Sequence, residues 1–193
     1  MILSYLKQLN WLDIFAVILL IRIGYIAVKT GFTTEIFKLL GTIFAIFLAG
    51  HYYIRLGIFL SSFISIKEQA GINFLNFLVF ILLVFLGYFV FAIIRRAFTI
   101  LIKMEAVSLL NRWGAVILGI VRWSLFISLL FLIISISNIN YLKDSLLGSL
   151  SGPKLIRIAP GVYASIWNNL MSRFMDKKVF NKELLEFSSN FKK

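Results

Sequence analysis

Apolar positions along this chain fall in long unbroken runs rather than in alternating or one-sided stripes. The clearest run is Ile72–Ile94, INFLNFLVFILLVFLGYFVFAII, 23 residues without a charge that stop at Arg95-Arg96. As a helix rising about 1.5 Å per residue it reaches roughly 34 Å, enough to cross a hydrocarbon core of about 30 Å. A helix of a soluble domain buries one stripe and seldom its whole circumference, so a run of this kind points to lipid as its solvent. In lipid every backbone N–H and C=O must pair within its own segment, which makes a helix the expected form.

Three further runs follow the same logic. Trp11–Val28 is interrupted by Asp13 and Arg22. Its front carries few basic residues and no A-x-A-like site follows, so it reads as a retained helix rather than a signal peptide. Lys29–Glu35 is a polar turn in which Gly31 is free to take positive φ and Thr33 or Thr34 can cap the next helix. Ile36–Tyr53 is the second run, with Lys38 at its start and His51 near its end. Trp113–Tyr141 is the fourth, and Arg122 is its only charge. A span starting at Trp113 buries Arg122. A span starting near Trp123 leaves Arg122 at the interface and Trp113–Val121 as a shallow or re-entrant piece. The pattern therefore predicts an all-α polytopic membrane protein. Its four transmembrane helices lie near 11–28, 36–54, 72–94 and 113–141, within one membrane domain over residues 1–141.

The segments between and after the spans are more polar. Arg55–Gly71 reads as a connector. In Arg95–Arg112 the residues Phe98, Leu101, Ile102, Glu105 and Leu109 recur at near-helical spacing, as in a helix lying in the interface over 96–110 or a long connector touching it. Residues 142–193 read as an amphipathic, basic C-terminal tail. Turn signals occur at Ser149–Pro153 and Pro160-Gly161. Ile166, Trp167, Leu170, Met171, Phe174 and Met175 then form one apolar face over 162–175, suited to a membrane surface or a partner groove. Asp176–Lys193 is expected to be frayed.

Composition narrows the function. Of 193 residues 61% are hydrophobic and only 15% charged, well below the charged fraction of a soluble domain. A net charge of +12 in a soluble chain would suggest nucleic acid. Here the basic residues sit at the ends of apolar runs, so anionic lipid is the expected partner and nucleic acid is not. The chain has no Cys, which excludes disulfides, thiolate metal sites and Cys nucleophiles. One set of connectors holds Lys29, Lys38, Arg95, Arg96, Lys103 and Arg112; the opposite side holds Lys7, Arg55, Lys67 and Lys143 near the spans. The richer set belongs in the cytoplasm, which places both termini outside.

No catalytic, cofactor-binding or metal-binding constellation is present in the sequence, and an enzyme is not expected. His51 is the only histidine. The candidates are instead the ionisable residues inside spans, where an unpaired charge costs about 2.5–3.5 kcal/mol or more. Asp13 and His51 belong on the same membrane face, either as a carboxylate–imidazole pair able to relay protons or sense pH, or as separate interface residues. Arg22 pairs with Asp13 or Glu35, snorkels, or lines a wet cavity. Glu35 and Lys38 form an i, i+3 pair at a helix start, as a cap would. Ala115-x-x-x-Gly119 is a small-xxx-small spacing that lets helices approach closely.

Three pieces of the chain carry a family resemblance. Asp13 is followed by Gly31-Phe32 and then Glu35, a D…G-F-x-x-E signature. Ala49-Gly50-His51-Tyr52-Tyr53 is similar to an A-x-H-Y-Y end of the second span. Asn111-Arg112-x-x-Ala115-x-x-x-Gly119-x-x-Arg122 is close to D-R-x-x-G-x-x-x-G-x-x-R-G. Together they resemble the colicin V production protein family of bacterial inner-membrane proteins, with Asn111, Ala115 and Trp123 standing where the family has Asp, Gly and Gly. The resemblance implies a four-span inner-membrane protein needed for colicin V production or export, with a wider part in envelope homeostasis. Some relatives carry an extracytoplasmic serine-protease domain after a similar membrane domain, which fits termini outside. No reaction is implied. The expected role is a scaffold whose spans 1 and 4 present Asp13, Glu35, Arg112 and Arg122 to a membrane or periplasmic protein partner, with homo-oligomers also open. The rival is a small transporter or channel whose Arg22 and Arg122 line an anion-attracting cavity.

Overall fold

The computed structural model describes residues 9–64, 68–101, 108–175 and 180–189. Four long helices come first: α1 (Trp11–Thr30), α2 (Phe32–Ile64), α3 (Gln69–Leu101) and α4 (Ser108–Ile136). Shorter ones follow, namely α5 (Asn140–Gly148), α6 (Gly152–Leu155), α7 (Ile158–Asn169), a 3₁₀ turn at Met171–Arg173 and α8 (Glu183–Ser189). No strand occurs among the described residues. All four long helices are long and apolar enough to cross a membrane, as the runs predict.

Local chemistry sets the helix ends. At the start of α1, Asn10 donates its backbone N–H to the Asp13 carboxylate at 3.1 Å, satisfying a donor of the first turn. α1 stops at Gly31, whose φ of 79° and ψ of 168° lie in a region open essentially to glycine alone. That sharp corner launches α2 with a single residue between the helices. Asn111 on α4 closes it, its Oδ1 accepting the Phe32 N–H at 2.6 Å. Asn138, at φ 59°, takes the left-handed conformation after α4, a position asparagine tolerates.

Two expectations about boundaries are corrected, and one open placement is decided. α2 continues past Tyr53 and Arg55 to Ile64, so most of the expected connector is helix. α3 begins at Gln69 and carries through Arg95-Arg96 to Leu101, so 96–101 extend the third span and form no separate interfacial helix; residues 102–107 lie outside the described residues. In each case a charge ends the apolar run without ending the backbone ladder, because long basic side chains reach water from a helix that continues. α4 runs unbroken through Trp113 and Arg122, so the placement that buries Arg122 holds and no re-entrant piece forms.

α2 is the hub. It packs along α3, against α4 and under α7, while α1 packs mainly on α4. Small residues set the close approaches. A Cβ on Gly87 of α3 would meet the Ala45 Cα of α2 at 2.7 Å, and one on Gly119 of α4 would meet the Ala27 Cβ of α1 at 2.7 Å. The core runs through Ile46, Tyr53, Phe80, Ile127 and Phe131 and continues into Leu146, Ile156, Tyr163 and Leu184 of the C-terminal segment. That segment is packed onto the bundle. Its buried face over α7 is Ala159, Tyr163 and Trp167, whereas Leu170 and Phe174 of the expected apolar face are exposed. The outer faces of the spans are apolar too, as at Ile21, Leu82, Phe85 and Phe89, which suits contact with acyl chains.

Candidate functional site

Three buried polar centres hold the bundle together, and each joins residues far apart in sequence. The first surrounds Glu35, fully buried at 0% exposure. One turn into α2, its Oε2 accepts from Arg122 Nε of α4 at 2.9 Å. Its Oε1 accepts from Lys38 Nζ at 2.7 Å and from the Thr30 hydroxyl at 2.8 Å. The pair with Lys38 is therefore only half of the site, and Glu35 is an interhelical clasp rather than a cap. One carboxylate faces two cations, which leaves one positive charge in excess. Arg122 is 8% exposed and its Nη2 has no hydrogen-bond partner.

The second centre is Asp13, 4% exposed. Besides Asn10 it accepts the Leu150 N–H at 3.1 Å, the Ser151 N–H at 2.9 Å and the Ser151 hydroxyl at 2.6 Å. The α5–α6 corner is thereby bound to the first turn of α1. Asn10 adds a second tie by donating from Nδ2 to Ser145 O at 2.6 Å. Within the corner, Ser149 Oγ accepts the Gly152 N–H at 2.9 Å. Four donors on one carboxylate satisfy it as an anion without a cation.

The third is His51, 2% exposed. Its ring stacks between Phe47 and Trp167, at centroid distances of 5.5 and 5.2 Å. Nδ1 lies 3.2 Å from the Tyr163 hydroxyl, whose oxygen accepts the Asn181 N–H at 3.1 Å. The contact is Tyr163 O–H to Nδ1 or Nδ1–H to the Tyr163 oxygen, according to the ring's tautomer, and Nε2 has no hydrogen-bond partner. Burial pushes the Tyr163 phenol above its ordinary value, against the lowering effect of the Asn181 N–H, so it keeps that proton. Asn181 also donates from Nδ2 to Gly50 O at 2.7 Å. No Asp13–His51 pair forms. The C-terminal segment satisfies Asp13 and encloses His51, whose Nε2 has no hydrogen-bond partner, and neither is an exposed interface residue.

The remaining candidates divide between packing and surface. Ala115 is buried, and Gly119 sits against Ala27, so the small-xxx-small face serves the α1–α4 contact. Arg112 is exposed, next to exposed Trp113. Arg22 forms no ion pair among the described residues and pairs with neither Asp13 nor Glu35. It lines, with Arg122, a cavity of about 420 Å³ between α1 and α3. No cluster of three His, Asp or Glu able to hold a metal occurs among the described residues.

The model of the family described as Colicin V production protein matches residues 12–160 of the chain. The chain belongs to that family. No curated protein and no solved structure matches it significantly. Colicin V production family membership supports a role in colicin V production, and together with the four apolar helices it makes the chain a multi-pass membrane protein. The matched region extends past the last quoted motif, through α5 and α6 into α7, and so includes the Ser149–Ser151 corner that holds Asp13. Sequence reasoning missed Thr30, Leu150, Ser151, Tyr163 and Asn181 as partners of the buried polar residues. The Ser-Gly-Pro turn signal marks the corner, but nothing local says which carboxylate it receives.

Proposed function

We propose that this member of the colicin V production protein family is a non-catalytic scaffold of the bacterial inner membrane. It acts as an accessory factor in toxin production and export, with a wider part in envelope homeostasis and both termini in the periplasm. One observation carries the scaffold reading. The buried ionisable groups Asp13, Glu35 and Arg122 are committed to joining α1, α2, α4 and the C-terminal segment. Groups so committed fix a shape; a relay or a transport path needs groups that change partner. Asp13, Glu35 and Arg122 are accordingly not the surface offered to a partner protein. Exposed Arg112 and Trp113, beside the basic end of the bundle, are the better candidates for that surface.

A second reading, a small transporter using intramembrane arginines, is favoured by the cavity that Arg22 and Arg122 line. Secretion of active colicin V from cells complemented with variants separates the two. Under the scaffold reading R112E with W113A lowers secretion while R22Q leaves it intact, and reconstituted vesicles show no anion flux. Lost secretion in R22Q with unchanged secretion in the Arg112 variant, accompanied by flux in the parent, would overturn the scaffold.

A further inference from the structure

The cavity between α1 and α3 is shaped for a particular class of molecule. α1 and α3 each pack on the α2–α4 pair but scarcely on each other, so a cleft remains between them. Its volume, about 420 Å³, falls within the range of small-molecule sites. Along α4 its wall runs from Arg122 through Phe126 and Leu130 to Ile133, about 16 Å of helix. Arg22 stands mid-way along α1 and Arg122 reaches back from the middle of α4 to Glu35, and most of the remaining wall is aliphatic and aromatic. Phe85, 72% exposed, and exposed Arg22 stand on the cleft's lining, so it opens sideways toward lipid and not only toward water.

The charges are unbalanced in a way that specifies sign. Glu35 is already shared by Lys38 and Arg122, and Arg22 has no acidic partner among the described residues. Two positive charges are therefore in excess beside an otherwise apolar cleft. Arg122 adds a buried, unpartnered Nη2. An arginine left in lipid without an anion is costly, and a carboxylate or phosphate is the group that its planar donors match best.

We propose that this cleft binds an anionic acyl-chain lipid from the surrounding bilayer, its carboxylate or phosphate at Arg22 and Arg122 and its chain along Phe126–Ile133. The inference goes beyond the scaffold reading and does not rest on it: a scaffold or a transporter can hold such a lipid.

The test uses the purified full chain in an uncharged sugar detergent. Native mass spectrometry reads retained oleate or phosphatidylglycerol, with oleyl alcohol and phosphatidylcholine as uncharged and zwitterionic controls. The anionic probes are expected to be retained and the controls lost. R22Q should weaken retention about tenfold, the loss of one charge-assisted contact. V84W, which fills the apolar part of the cleft without altering charge, should remove retention too. Size-exclusion and far-UV dichroism certify folding, and V84W alone decides if R22Q fails to fold. Retention of oleate alone assigns the site to a free fatty acid, of phosphatidylglycerol alone to a membrane phospholipid, and of both to their shared chemistry. Equal retention of charged and uncharged probes overturns the proposal. So does retention that V84W leaves unchanged, or a change of oligomeric state in R22Q without loss of lipid, which would assign the cleft to a second copy of the chain.

Discussion

The Glu35 clasp predicts an asymmetry between its two ends. Removing the carboxylate in E35A leaves Arg122 and Lys38 facing each other in a buried site with no anion, since Glu35 is 0% exposed and accepts from both. Breaking a buried pair from one side costs about 3–5 kcal/mol, because the remaining charge is uncompensated. Removing the cation in R122M leaves Glu35 with Lys38 at 2.7 Å and the Thr30 hydroxyl at 2.8 Å, a neutral and still hydrogen-bonded group. The loss is then nearer one charged hydrogen bond, about 1.5–3 kcal/mol. In the double variant only Lys38 remains, already close to the helix end and able to reach water. Its destabilisation should not exceed that of E35A alone and should fall at least about 1.5 kcal/mol short of the sum. Unfolding by SDS in mixed micelles, followed by Trp fluorescence, gives all four corners of this cycle. Equal costs for E35A and R122M, or strict additivity, would refute the claim that one carboxylate serves two cations.

Other consequences are as specific. G31A must hold φ near 79° and bring a Cβ within 2.8 Å of Asn111 Oδ1, so it should cost about 1–3 kcal/mol in the same assay. D13A orphans the Leu150 and Ser151 N–H groups; proteolysis should then release the segment after Asn138 early, while D13N, which keeps an acceptor oxygen, should release it less. G119V drives a side chain into Ala27 of α1, and disulfide trapping between cysteines engineered on α1 and α4 should become slower than in the parent.

What the chain makes legible from its own residues is decided by range. The four spans can be read from apolar run length alone, because lipid leaves a segment no partner but itself. Helix ends are less legible where charges intervene: Arg55, Arg95 and Arg96 mark the edge of the apolar run, yet α2 and α3 continue through them. Glu35 is a harder case. Its local partner Lys38 is visible at i, i+3, but Arg122 lies 87 positions away and only the fold brings it near. The same holds for His51, whose aromatic neighbours Tyr52 and Tyr53 invite an interface reading, whereas Trp167 and Tyr163 enclose it. Helical spacing predicts a C-terminal apolar face through Ile166, Trp167, Leu170, Met171, Phe174 and Met175. The helix buries Trp167 of that face together with Ala159 and Tyr163 and leaves Leu170 and Phe174 exposed, a register that depends on where α2 and α4 offer a groove.

The distances along the chain between partners also fix an order of assembly during synthesis. Ser151 follows Asp13 by 138 positions. At about 5–20 residues per second, α1 waits roughly 7–28 s for the donors that satisfy its carboxylate. Glu35 waits a shorter time for Arg122, 87 positions later, and meanwhile has Lys38 in its own helix at 2.7 Å. α2 can thus enter the bilayer as a self-neutralised helix and exchange a local partner for a shared one when α4 arrives. Among the described residues α1 has no such local cation paired with Asp13. Its first turn stays provisional until the chain beyond α5 has emerged, and a ribosome stalled before Ser149 leaves Asp13 without the Leu150 and Ser151 donors.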